Sequence, residues 1–341
     1  MIQTQEQLNL YLKTINSDNT LGIDTEFRRI DTYYPQLCLV QISSSSGAEC
    51  IDVLSIPNLS PLFDKLYRKD TLWVVHSARQ DIEALYLLSG KLPNHLFDTQ
   101  IAAALLNLPL QVSYQALTAH FEGVLLDKAY ARFDWTKRPL PSEVIDYALN
   151  DVIYLLPLLN KLREKLKNEN KLDWLAEEIN TLLDPKLYDI PIETVFQKIK
   201  GISRLNNKHH ALAFDLCSWR EDSAKRKNKP RKWIMSDEKL IEYASQRLTL
   251  SAKSEKTFNH FISSNQIAYS DNISSDKHKP LNSSEKNTKN QLQERINNIA
   301  KAYNLPPELM ITSKSLSKYI RGDMSVSLCH GWRAELFNKE N

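Results

Sequence analysis

The stretch Leu21-Gly22-Ile23-Asp24-Thr25-Glu26-Phe27 decides how this chain is read. Its apolar entry predicts a buried strand, and successive residues of a strand point to opposite faces of a sheet. Asp24 and Glu26, two positions apart, therefore share one face. A buried pair of like charges is costly unless a cation bridges it. Taken alone, the same three residues fit an exposed strand face better than a site, so the rest of the chain must supply further acids.

Working outward, residues 4–16 repeat Leu8, Leu10, Tyr11, Leu12 and Ile15 at helical spacing, and Asn19 breaks the pattern before the strand. Residues 37–42 and 49–53 read as two paired strands around the polar turn 43–47, so the fold opens as a β-meander. Helix over 61–67, buried strand over 72–75 and helix over 81–88 then alternate. Beyond them the periodicity predicts helices over 99–106, 114–120, 142–166 and 171–183. The expected architecture is an α/β sheet of mixed direction flanked by helices.

Two prolines, Pro185 and Pro191, and a change in the sign of the charge place a boundary near 190–205. Residues 1–200 hold 20 lysines and arginines against 26 acids, whereas residues 201–341 hold 24 against 15. An acidic part suited to cations is thus followed by a basic part suited to a polyanion. At 341 residues the chain accommodates one domain near 200 residues and one or two smaller modules. The polar stretch 268–290, rich in Ser, Asn and Lys, reads as a linker between two helical modules. The four cysteines, Cys38, Cys50, Cys217 and Cys329, are too dispersed for a zinc knuckle and too few for a disulfide framework, which fits a reducing cytoplasm. No run approaches the length of a membrane span, and the N-terminus does not read as a signal peptide.

Two more acidic elements accompany the first. Asp81 follows the buried strand at the start of a helix, where an Asp is more often a helix cap or dipole partner. Asp98, in Phe97-Asp98-Thr99, is assigned to a helix cap. Tyr147 and Asp151 lie four apart in a helix, hence on one face a turn apart. Val144, Ala148, Val152 and Leu155 predict that this helix packs on the sheet. Acids on a first strand, after a later strand and on a final helix form a constellation. Oxygen ligands without Cys or His favour a hard ion, Mg²⁺ or Mn²⁺, over zinc.

Residues 21–158 resemble the DEDDy 3′→5′ exonuclease superfamily and, within it, the ribonuclease D family. The resemblance rests on 23–27 continuing through Thr32-Tyr33-Tyr34-Pro35-Gln36-Leu37 to Gln41, on 76–83, and on Leu126-Asp127-Lys128 with Asp134-Trp135. It extends through Arg138-Pro139-Leu140 to Tyr147-Ala148-Leu149-Asn150-Asp151. It implies a ribonuclease H-like fold in which two divalent cations, Mg²⁺ or Mn²⁺, are held by Asp24, Glu26, Asp81 and Asp151. Asp24, Glu26 and Asp151 would hold the ion that activates water, Asp24 would bridge to the second ion, and Asp81 would complete the second site directly or through water. Tyr147 would orient the attacking water, and 5′-monophosphates would leave stepwise from a 3′-hydroxyl end. The sequence departs from the family at Phe133, where a small hydroxyl residue is usual. His76 and Gln41 read as structural, and Arg138 as a phosphate contact or a structural residue in equal measure.

In the basic half, Lys225, Arg226, Lys227, Lys229, Arg231 and Lys232 fill six of eight positions and Trp233 follows, a set able to track phosphates and stack a base, or to form a solvated helix end. The sequence from Trp219-Arg220 to Glu238 is similar to the HRDC domain that follows the nuclease in ribonuclease D. A shorter, divergent copy is read near the C-terminus from Leu316 and Gly331-Trp332-Arg333. It either binds nucleic acid or packs against the nuclease. The domains expected are thus 1–200 for the exonuclease, 206–285 for an HRDC-like module and 286–341 for a second. The expected function is a monomeric exoribonuclease trimming structured RNA, transfer RNA precursors above all. A DNA exonuclease and a noncatalytic nucleic-acid adaptor are the alternatives.

Overall fold

The computed structural model describes residues 1–127, 129–265 and 280–339. Most of the expected linker 268–290 and Lys128 therefore lie outside the described residues. Five strands, β1 (Thr20–Arg28), β2 (Gln36–Ser44), β3 (Gly47–Asp52), β4 (Leu72–Val75) and β5 (His95–Asp98), form one sheet in the order β3-β2-β1-β4-β5. β2 and β3 are antiparallel, whereas β1–β4 and β4–β5 run parallel, so the sheet is mixed as the alternation predicts. Eight of the nine residues of β2 are buried, as befits an inner strand covered on both faces.

The helices of this part are α1 (Gln5–Thr14), α2 (Ser60–Leu66), α3 (Arg79–Ser89), α4 (Thr99–Leu105), α5 (Tyr114–Glu122), α6 (Ser142–Ile153), α7 (Leu155–Asn168) and α8 (Leu172–Leu182). Thr4 and Gln7 start α1 with a reciprocal capping box. The single helix expected over 142–166 is two, broken at Tyr154. Pro157 explains the break, because a proline has no N–H to give and its ring clashes with the carbonyl four residues back. The backbone N–H of Tyr154 is instead received by the Tyr114 hydroxyl at 3.0 Å. β5 was not anticipated, since four residues carry too little periodicity to read.

Compactness divides the chain into two units. The first comprises Met1–Arg28, Leu37–Asp184 and Leu281–Asn341, the second Arg29–Gln36 and Pro185–Pro280. Packing thus groups residues 29–36 with the second unit and residues 281–341 with the first. In the second unit α9 (Ile192–Gln197), α10 (His210–Lys227), α11 (Arg231–Ile234), α12 (Asp237–Ala244) and α13 (Ala252–Ser264) enclose a core of Phe196, Phe214, Trp219, Leu240 and Phe258. Residues 29–36, the link from β1 to β2, belong to this unit because Asn228 Oδ1 accepts the N–H groups of Tyr33 and Tyr34, both at 3.0 Å. Asn228 stands in the left-handed region at φ 46°, which ends α10 and aims its side chain at that link.

The C-terminal helices α14 (Ser283–Ala302), α15 (Pro307–Met310), α16 (Ser313–Ile320) and α17 (Gly331–Lys339) pack within the first unit. Trp332 stacks on Trp174 of α8 at 4.8 Å, its indole N–H donates to Glu178 at 2.9 Å, and its backbone N–H donates to Glu177 at 3.0 Å. No helix of the described residues is long and apolar enough to cross a membrane.

Candidate metal centre

β1 carries Asp24 and Glu26 past the point where β4 accompanies it. The parallel pairing with β4 runs from Thr20 to Gly22, and farther along the N–H of Thr25 has a side chain as partner. That partner is Asp81, whose Oδ1 accepts the Thr25 N–H at 3.0 Å and the Thr25 hydroxyl at 2.6 Å. Asp81 is presented from the first turn of α3, where the helix dipole favours an acid. The turn before α3 places Ser77 at φ 62°, and Asp98 holds it by accepting the N–H groups of Ser77 and Ala78 at 3.1 and 2.8 Å.

The third acid arrives on α6. Val144, Ala148 and Val152, four apart, are buried against the sheet, which brings Asp151 and Tyr147 to the flank of that contact. Ser43 of β2 donates to the Val152 carbonyl at 2.8 Å, fastening the end of α6 to the sheet. The approach requires glycine at position 22, since a Cβ there would lie 2.1 Å from Ser43 Oγ and 3.1 Å from Leu155 Cβ. One carboxylate oxygen each from Asp24, Glu26 and Asp151 then fall within 4.8 Å of one another.

Burial, then the charges of Asp81, Glu26 and Asp151, hold Asp24 protonated well above the usual carboxylate range. Burial first, then Asp151 and Asp81, push Glu26 up to about 9. Asp151 rises to about 7 by burial, and Asp81 to about 7 by burial against the opposing hydrogen bonds from Thr25. No basic side chain figures among these causes. Three oxygen donors that destabilise one another, with neither thiolate nor imidazole among them, fit a hard divalent cation. Tyr147 is also raised, by burial first and then by Asp151, Glu26 and Asp24, so its hydroxyl keeps its proton and remains a donor. Its ring leans on Tyr130 and Trp135 at 5.9 and 6.4 Å.

The profile of a 3′–5′ exonuclease family matches residues 1–167. Ribonuclease D of Bartonella henselae is 33% identical over 359 residues, covering 100% of this chain and 88% of the relative. The enzyme of the same name from Desulfotalea psychrophila is 32% identical, with 98% and 95% covered. The chain belongs to the ribonuclease D family. Its fold superposes on Escherichia coli RNase D, described as an exoribonuclease involved in structured RNA processing, with a TM-score of 0.84 at 25% identity, covering 100% of this chain and 96% of the other. The chain is accordingly a hydrolytic 3′→5′ exoribonuclease, and its helical region after residue 190 is consistent with HRDC domains.

Within this ribonuclease D fold the other residues singled out from the sequence separate into two groups. Arg138 is structural: Nε and Nη2 grip Asp52 at 2.7 and 2.6 Å, and Nη1 and Nη2 donate to the carbonyls of Trp135, Lys137 and Cys38. All five of its donors are thereby engaged, leaving none for a phosphate. His76 links Thr99 Oγ1 at 2.9 Å to the Val112 carbonyl at 3.0 Å, with burial lowering its pKa, and is structural too. Arg231 forms a double hydrogen bond to Glu221 and lies 4.9 Å over the Tyr33 ring, so it serves the second unit's own packing. Lys225 stands 3.9 Å from Asp189, and Arg226 2.7 Å from Asp222. Lys227, Lys229, Lys232 and Trp233 are exposed, with Lys229 5.4 Å from the Trp233 ring centre. Phe133 packs edge-on against Trp135 at 5.4 Å.

Sequence reading passed over Thr25, which anchors Asp81, and took Asp98 for a cap alone. Asp98 does cap α4, accepting from Gln100 at 2.8 Å, but it also fixes the turn that leads to Asp81. The only sequence signal for Thr25 was its place between the two acids, on the opposite face of β1.

Proposed function

We propose that this exoribonuclease trims the 3′ ends of structured RNA, transfer RNA precursors above all, by a mechanism using two divalent cations, Mg²⁺ or Mn²⁺, and that it works as a monomer. The observation that carries the reading is the meeting of Asp24, Glu26 and Asp151 oxygens within 4.8 Å, each raised by burial. These three would hold one cation, with Asp24 shared with the second and Asp81 completing it directly or through water. When bound, such a pair of ions activates a water for in-line attack and neutralises the charge that develops on the leaving oxygen.

The chain's own residues supply the rest. Thr25 fixes Asp81 by two hydrogen bonds, so that acid is presented in one rotamer. Tyr147, protonated and braced by Trp135 and Tyr130, offers a hydroxyl one turn from Asp151 to orient the attacking water. With water as the nucleophile and the 3′ oxygen of the preceding nucleotide as the leaving group, the product would be a nucleoside 5′-monophosphate, released one at a time from a 3′-hydroxyl end. The exposed set Lys227, Lys229, Lys232 and Trp233 would hold the body of the RNA as part of an HRDC-like module.

The test is release of 5′-mononucleotides from a 3′-extended transfer RNA precursor in Mg²⁺, Mn²⁺ and chelator. Trimming that needs the cation and falls at least about 100-fold in Asp151→Asn is expected, the scale on which a group acting on the transition state is felt. Faster cleavage of DNA, or binding without cleavage, would contradict it.

A further inference from the structure

Gln41 of β2 is 0% exposed, and among the described residues has no hydrogen-bond partner at either Oε1 or Nε2. A buried amide left unpaired is costly, so each such group calls for an explanation, such as strain, a functional role or a bound water or ion.

The sheet fixes where that amide lies. β2 neighbours β1, and the side-chain direction of Gly22 runs into Ser43 Oγ, so these two positions share a face. Steps of two along each strand then put Asp24 and Glu26 of β1 on the same face as Gln41 and Leu39 of β2. α6 covers this face on both sides of Gln41, for Leu39 packs in one cluster with Ala148 and Tyr147 while Ser43 binds the Val152 carbonyl. Gln41 is therefore enclosed between the strand that carries Asp24 and the helix that carries Asp151. Across the ladder its partner is Cys50. That thiol is pushed up to about 12 by burial, with Asp24 and Glu26 among the lesser causes, so the field of the acid pair reaches across the row that Gln41 occupies.

We infer that Gln41 is a positioning residue of the cation site, its amide N–H groups donating to the ionised Asp24–Glu26 pair, directly or through a water, and so fixing the oxygens that face the cation. The inference rests on the reading of Asp24, Glu26 and Asp151 as cation ligands. A carboxylate accepts only, and a carboxamide is the neutral side chain able to donate twice to it without adding charge. Removal of such outer partners typically lowers metal affinity about 10–100-fold.

Titration with Mn²⁺, following free ion by electron paramagnetic resonance, tests this on wild type, Gln41→Leu, Gln41→Met and Asp151→Asn, alongside metal-free melting. The Gln41 variants are expected to bind Mn²⁺ about 10–100-fold more weakly. They should melt no lower than wild type without metal, because an apolar side chain replaces an unpaired amide. Comparison is made in whichever of the two variants keeps the wild-type melting temperature. Wild-type affinity in that variant, with binding lost in Asp151→Asn, overturns the role of Gln41 alone. Failure of wild type to bind Mn²⁺, or undiminished binding by Asp151→Asn, overturns the ligand reading and the role of Gln41 with it.

Discussion

The acid cluster between β1 and α6 and the basic stretch at 225–233 are both concentrations of one sign, yet the fold treats them oppositely. Asp24, Glu26 and Asp151 face one another and are raised by burial and mutual repulsion, with no lysine or arginine among the causes. In the basic stretch the half-buried Arg231 is taken up by Glu221 and Tyr33, and Arg226 pairs with Asp222. Lys227, Lys229, Lys232 and Trp233 are accessible there, the last 56% exposed, and Arg226 is accessible too although paired with Asp222. A run of charge in a sequence therefore does not say which members are free to meet a ligand; the partners brought by packing decide it.

Splitting the basic stretch sharpens that contrast. Arg231→Met leaves Glu221, whose side chain is 8% exposed, with the Tyr33 hydroxyl but without its guanidinium, and breaking a buried pair costs about 3–5 kcal/mol. Because the Arg231 side chain is itself 39% exposed, the low end, about 3 kcal/mol, is expected in denaturant unfolding, with the salt dependence of RNA binding unaltered. Trp233→Ala should leave stability in place and weaken single-stranded RNA by about 1–3 kcal/mol, the contribution of one stacked base. Lys232→Ala should do less, reducing the slope of log affinity against log salt by about 0.7, one phosphate contact. If Arg231→Met reduced that slope while keeping full stability, the assignment of Arg231 to packing would be wrong.

The parts of this account that were legible in the sequence are the local ones. Alternation on β1 put Asp24 and Glu26 on one face, and a spacing of four put Tyr147 beside Asp151, because strand and helix periods act over a few residues. The break at Tyr154 was also written locally, in Pro157, but the leucines around it mask it. What could not be read depends on partners far along the chain. The sequence leaves Arg138 equally a phosphate contact or a structural residue, because its partner Asp52 lies 86 residues away. The tie between Asp81 and Thr25 spans 56 residues, and the capture of 29–36 by Asn228 spans nearly 200. Neither leaves a period or a composition by which to find it.

The central claim, that these acids are held together for a divalent cation, is tested most directly by thermal unfolding from pH 5 to pH 9 with and without Mg²⁺. A carboxyl whose folded pKa lies above its unfolded value contributes stability below the unfolded value, and loses it as pH rises through the folded one. For Asp81 and Asp151 that loss runs from 3.8 to about 7, and for Glu26 from 4.5 to about 9. Metal-free protein should accordingly melt progressively lower toward pH 9. Mg²⁺ should restore the loss at pH 8 to 9, by about 2.7 kcal/mol at a hundred times its Kd, and do little at pH 5 where the acids are protonated. Asp24→Asn should abolish the Mg²⁺ effect and flatten the decline. A wild-type melting temperature indifferent to Mg²⁺ at pH 8, or an equal response in Asp24→Asn, would contradict the account.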